Sequence, residues 1–390
     1  MRLNIVDIDL KTNFSTLWKK LLTIVFLYSI LSCESNTYSD LIETDTTITL
    51  KWNKAYADDS IDKSLIGLKW ALSYVGAALP TSNSGFLNTE NTITIDLKKL
   101  GFSVDAQQKL LKLSKKIIVT KEYQTNKNID LGRYITLLLG ASQHYYEIVG
   151  TPKTLTQLLN QYVLLPQKGY VNNSGVSLEH RIVQFSEQNG FNQVYLSKEI
   201  DPVSGEIYEY ETIELLPNGQ LRFGIFDVNG NRKDNADASH TNAGKPAKCM
   251  WCHESNVQQL FTLQLDFAGY LTSSQLQNTL INYRESNRNL KLQSTNGVDF
   301  SQTQQHTLTE LLYISFMEPS ADRLRLEWNL PIAQVQNILS GLPTHIYNEF
   351  PFLGNLYYRK DIENLAPFQG LSVSSSVREA SQTEVNHLND

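Results

Sequence analysis

Apolar positions along the chain change period twice. Between residues 47 and 165 they recur mostly at helical steps. Leu65, Leu68, Leu72, Val75 and Leu79 lie three or four residues apart, and Pro80 stops the run. A second helix is expected after Ser103, a good N-cap, carrying Leu110, Leu111, Leu113 and Ile117. A third is expected over 131–149 and a fourth over 155–163, while the stretch Thr92 to Leu97 alternates as a short strand does.

After Pro166 the period drops to two. The runs R-I-V-Q-F, Q-V-Y-L-S, I-Y-E-Y-E-T-I-E-L and Q-L-R-F-G-I-F follow one another between Arg181 and Val228. Pro217-Asn218-Gly219 separates the last two and Asn229-Gly230 follows the final run, which is hairpin chemistry. A polar loop over 231–248 comes next. Helical spacing returns over 273–283, 307–316, 321–328 and 331–339, with Ser320 as a cap and Gly341 as a stop.

The class predicted is α+β. A mainly helical domain over 47–165 precedes an antiparallel β region over 166–248, and a helical region over 249–366 follows. Residues 367–390, rich in Ser, Gln and Asn, are expected to fray.

The N-terminal stretch reads as an address. Lys19 and Lys20 precede an apolar run from Leu21 to Leu31, the layout of a secretory signal peptide over 1–32. That run is well short of the ~20 residues a spanning helix needs. A polar tether is expected over 33–46. The end of the run, Ile30-Leu31-Ser32-Cys33, resembles the lipobox of bacterial lipoproteins. The resemblance implies cleavage before Cys33, diacylation of that cysteine, and anchoring to the inner or outer membrane of a bacterial envelope, facing the periplasm or the surface. An ordinary signal peptide that happens to contain a cysteine is the plainer reading.

Charge changes the picture little. With Lys+Arg 34 and Asp+Glu 40 the net charge is −6. Losing Arg2, Lys11, Lys19 and Lys20 together with Asp7 and Asp9 would leave 30 against 38, or −8. Such a surface excludes a nucleic-acid-coating protein and gives no electrostatic help at anionic lipid. Hydrophobic content of 41% excludes a disordered chain.

Three cysteines are too few for a disulfide scaffold, so their placement matters. Two occur in Cys249-Met250-Trp251-Cys252-His253. Cys-X-X-Cys-His resembles the attachment sequence of c-type cytochromes at every defining position. The resemblance implies one covalent haem c, with Cys249 and Cys252 as thioethers and His253 as proximal iron ligand. The plainer readings are a Cys249–Cys252 disulfide, a redox dithiol, or a zinc site, for which only His240 is near. For the distal side Met317 is the one downstream methionine, with packing beside Phe316 and Trp328 as its alternative role. His240 and His306 are weaker candidates, and His144 reads as a hydrogen-bonded helix residue.

Three functions follow. The first is an exported lipoprotein carrying electrons through one covalent haem to an unspecified protein partner, a carrier rather than an enzyme. The second is a haem enzyme or gas-binding protein with an open distal face. The strand-rich stretch before the motif loosely resembles β-rich cytochromes, although about 137 residues follow the motif here. The third is a haem-free adhesion or assembly lipoprotein. No phosphate loop, zinc helix or nucleophile elbow is present in the sequence.

Overall fold

A computed structural model describes residues 46–80, 84–177, 179–294, 297–381 and 383–389. The signal peptide, Cys33 and nearly all of the expected tether lie outside the described residues.

The chain enters through β1 (Thr47–Lys51), which pairs antiparallel with β3 (Thr92–Asp96) and parallel with the two-residue β4 (Ile129–Asp130). The short β2 (Phe86–Asn88) completes a four-stranded sheet in the order β2-β3-β1-β4. Alternation sets its faces: Ile48, Leu50, Ile93 and Ile95 point into the core. Thr49 and Thr94 face each other across the strands, with hydroxyls 2.9 Å apart.

This sheet corrects the expectation for 47–165. The region is mainly helical, but only β3 was legible there. β1 and β4 acquire strand identity from partners some forty to eighty residues away.

Helix α1 (Ile61–Tyr74) starts at Ser60, whose hydroxyl accepts from Lys63 N–H, and α2 (Val104–Ile118) starts at Ser103 as expected. A short α3 (Lys121–Asn126) follows. The single helix expected over 131–149 is two, α4 (Leu131–Leu139) and α5 (Ser142–Val149), broken at Gly140. Ala141 is extended there, and a side chain at Gly140 would press on the Thr136 carbonyl at 2.6 Å. α6 (Leu155–Leu159) leads into the second sheet.

That sheet is all antiparallel and contains the four predicted strands, preceded by a fifth that was not expected. Its strands are β5 (Leu164–Val171), β6 (His180–Ser186), β7 (Val194–Ile200), β8 (Ile207–Leu215) and β9 (Leu221–Asp227), adjacent in chain order. Gly219 closes the last hairpin at φ +82°, a conformation glycine adopts without strain.

Beyond the meander come α7 (Pro246–His253), α8 (Ser273–Gln293), α9 (His306–Met317), α10 (Ala321–Glu327), α11 (Ile332–Ile338) and α12 (Arg359–Ile362). α8 runs ten residues past its expected end. α9 packs against both α1 and α4. A Cβ on Gly132 would lie 2.5 Å from the Leu312 carbonyl oxygen, so the small residue lets α4 and α9 meet. No described helix is long and apolar enough to cross a membrane.

One principal core runs from Ile48 to Leu388, so the three stretches separated by sequence texture share their interior. Beneath α9 lies a buried ionic network. Arg323 binds Asp130 and Glu327, Arg359 binds Glu327, and Arg133 binds Glu122 and Glu363. All three guanidinium groups stack on the ring of Phe316, Arg359 at 3.9 Å.

The terminal segment expected to fray is packed instead. Val377 and Leu388 are 4% and 5% exposed. The ammonium of the buried Lys245 donates to Ser376 O and Ser381 Oγ and pairs with Glu384. Composition suggested a loose tail because the few residues that anchor it are scattered among polar ones.

Candidate functional site

The Cys-X-X-Cys-His stretch forms the second half of α7. Pro246 occupies the first turn, where its missing N–H costs nothing. The helix ends at Glu254, which has φ +52°. Positions i, i+3 and i+4 share one helical face, so Cys249, Cys252 and His253 project together. All three line one cavity of about 140 Å3, below the ~300–1,000 Å3 range of small-molecule sites.

The opposite wall is the face of the meander. Val183 of β6, Tyr195 of β7 and Ile213 of β8 make it largely apolar, with Val257, Phe261 and Leu280 closing the sides. Among the described lining residues the charged ones are Arg181 and Glu211; besides His253 none is a histidine, and none is a methionine or a lysine.

Burial, reinforced by the positive charge of Arg181, pulls the His253 imidazole down to about 4. The ring is therefore neutral at ordinary pH, the form that binds metals. Its Nδ1 is buried without a partner, and its ring lies 6.1 Å from that of Phe223.

Cys249 and Cys252 are both free thiols. Burial pushes the Cys249 thiol well up, with Glu211 adding to it. Burial also raises Cys252, against the opposing charges of Arg378 and Lys248. A reactive dithiol needs a lowered thiol pKa, so this environment disfavours the redox-dithiol reading. Among the described residues no three His, Cys, Asp or Glu side chains converge as a metal site.

The arrangement fits a covalently held macrocycle. The fit lies in the donor set: two thiols and a neutral imidazole with an unpartnered Nδ1 on one helix face, opposite a largely apolar wall that would have to part to admit the ring.

The other sequence candidates lie elsewhere. Met317 ends α9 and lines a separate cavity of about 580 Å3 with Tyr347 and Arg378, which shares no lining residue with the first. His306 lies with Glu310, Met250 and Trp251 around a small cavity on another side of α7. His240 stacks on Tyr208 at 4.0 Å, with Nδ1 3.3 Å from Glu179. His144 is the hydrogen-bonded helix residue expected: its Nδ1 lies 2.8 Å from Leu137 O, and its Nε2 accepts from His387 N–H.

Sequence reasoning missed a charged group at the sheet face. Arg181 on β6 lies across from Glu199 on β7, and Ser197 lies across from Glu211 on β8. Arg181 Nε is 3.0 Å from Glu199 and Nη1 is 3.2 Å from Glu211. The signal in the sequence was charge within strands otherwise apolar on that face. Only the register brings the charges together.

No protein family, curated protein or solved structure matches the chain.

Proposed function

We propose that the chain is a c-type haem protein whose haem is bonded to Cys249 and Cys252 and ligated by His253, with an open distal face for a small molecule. The observation that carries this is the shared cavity: the whole motif faces an apolar space whose described lining includes no Met, Lys or second His. Bound there, the haem would supply an iron able to exchange an electron or take up a ligand such as NO, CO or peroxide.

The protein's own residues do the rest. The apolar sheet face excludes water, which strengthens every polar interaction inside. Arg181, which has a buried Nη2 without a partner, can donate to a polar or anionic ligand. These features favour the gas-binding or catalytic reading over simple electron carriage. Export and anchoring through Cys33 remain part of the proposal, on the lipobox resemblance.

Expression with a c-type haem maturation system, followed by denaturation, mass measurement and haem staining, tests attachment. A haem-sized increment that vanishes in Cys249→Ser/Cys252→Ser is expected; its absence in the parent chain overturns the reading. Rapid CO binding to the ferrous protein is expected, and its failure would restore a six-coordinate carrier. Cys33→Ala should release the chain from membranes, and unchanged membrane association would remove the anchor.

A further inference from the structure

Behind the cavity wall the charges do not balance. One cation, Arg181, faces two carboxylates: Glu211 in the lining and Glu199, which is fully buried. Water cannot screen that excess, so the cluster favours retaining a proton. The lining hydroxyl of Ser197 donates to Glu199 Oε1 at 2.8 Å, and on the far side Ser177 Oγ donates to Oε2 at 2.9 Å. Beside Ser177 lies the buried hydroxyl of Tyr208, whose ring stacks on the half-exposed His240, itself paired with Glu179.

We propose that Glu199 is a proton store serving the cavity, exchanging protons with a bound ligand through Ser197 and with solvent through Ser177, Tyr208 and His240. It rests on the haem reading for the ligand but not for the store.

The transfer balances without an oxidant. A basic ligand takes the Ser197 hydroxyl proton while Ser197 takes the proton of the Glu199 carboxyl. Ser177 then gives its own proton to the Glu199 carboxylate and is refilled from solvent. The reverse sequence carries a proton out. Arg181 holds the carboxylate in the interval. The groups around Glu199 are Arg181 from β6, Ser197 from β7, Tyr208, Glu211 and the directly opposite Glu209 from β8, the last paired with Lys233, and Ser177 and Glu179 from the segment before β6, with Cys249 of α7 close to Arg181 and Glu211. Burial, then the charge of Glu211, raises the Glu199 acid to about 8 against Arg181.

Two measurements on the full-length, haem-loaded protein test this. Infrared titration of the parent minus Glu199→Gln should show a protonated carboxyl band lost with a midpoint of about 8, the bands of other raised carboxyls such as Glu209 and Glu310 cancelling in the difference. No band in that difference overturns the store whether or not haem is present. Cyanide is the second probe, because hydrogen cyanide must lose a proton to bind ferric iron whereas CO binds ferrous iron without one. Ser197→Ala should slow cyanide association by at least about tenfold and leave CO association unchanged. Unchanged cyanide rates, or equal slowing of both ligands, overturn the relay.

Discussion

The guanidinium of Arg378 lies 3.8 Å over the ring of Trp251, one of the two residues between Cys249 and Cys252. Arg378 also pairs with Glu349 at 2.9 Å and donates to Tyr347 Oη at 3.1 Å. Lys245 N–H donates to Arg378 O, and Lys248 pairs with Glu379. The C-terminal segment is thus strapped across the start of α7, and it helps hold the motif's helix in place. Arg378→Ala should destabilise the protein by about 2 kcal/mol, from lost stacking and ion pairing. Denaturant unfolding measures it. No loss of stability would return the segment to the frayed role its composition suggested.

Glu327 should dominate the acid stability of the ionic network. Although burial alone would raise its carboxyl, Arg359 and Arg323 hold it down at about 2, against an ordinary 4.5. A carboxyl lowered in the folded state stabilises fully above its unfolded value, and that stability is lost as pH falls toward the folded value. Glu327→Gln should therefore cost about 3 kcal/mol at neutral pH. The gap from the parent should close as pH falls from about 4.5 toward 2. Unfolding curves at several pH values give the difference directly.

Arg181 should behave in the opposite sense. Glu199 is raised rather than lowered, so its neutral form is the one that suits the fold. Stability is present below the ordinary 4.5 and is lost as pH rises through about 8. Arg181→Met removes the cation that tolerates the ionised form. The variant should lose about 3 kcal/mol or more on the alkaline side and much less in acid. A pH-independent loss would mean that packing, not charge, was the missing contribution.

The contact of α4 with α9 is close enough to test by one methyl group. Gly132→Ala would place a Cβ 2.5 Å from both the Leu312 carbonyl oxygen and Phe316 Cβ. The helices must part, and overpacking of this kind costs about 1–3 kcal/mol. Because Phe316 carries the three stacked arginines, the loss should sit at the upper end of that range. Thermal unfolding is a sufficient readout.

Met317→Leu separates the two haem readings. Met317 lines the cavity with Tyr347 and Arg378, not the one with His253. The absorption spectra of the ferric and ferrous protein should be unchanged in the variant. A lost or shifted methionine-dependent band would make Met317 the distal ligand and the protein an electron carrier.

By itself the sequence determined four strands of the meander, the main helices and the residues of the Cys-X-X-Cys-His motif. Each of these is local: strand alternation, turn residues at Asn218-Gly219, caps at Ser103 and Ser320, and three chemical groups at i, i+3 and i+4. Tertiary structure alone decided that β1 and β4 are strands, since their hydrogen-bond partners are distant in the chain. It also decided that the Ser-rich terminal segment packs, because Lys245 and Trp251 supply anchors that composition does not record. The candidate site divides the same way. Cys249, Cys252 and His253 were legible, whereas Arg181, Glu199 and Glu211 converge only through cross-strand register, which a slip of one residue would turn to the other face.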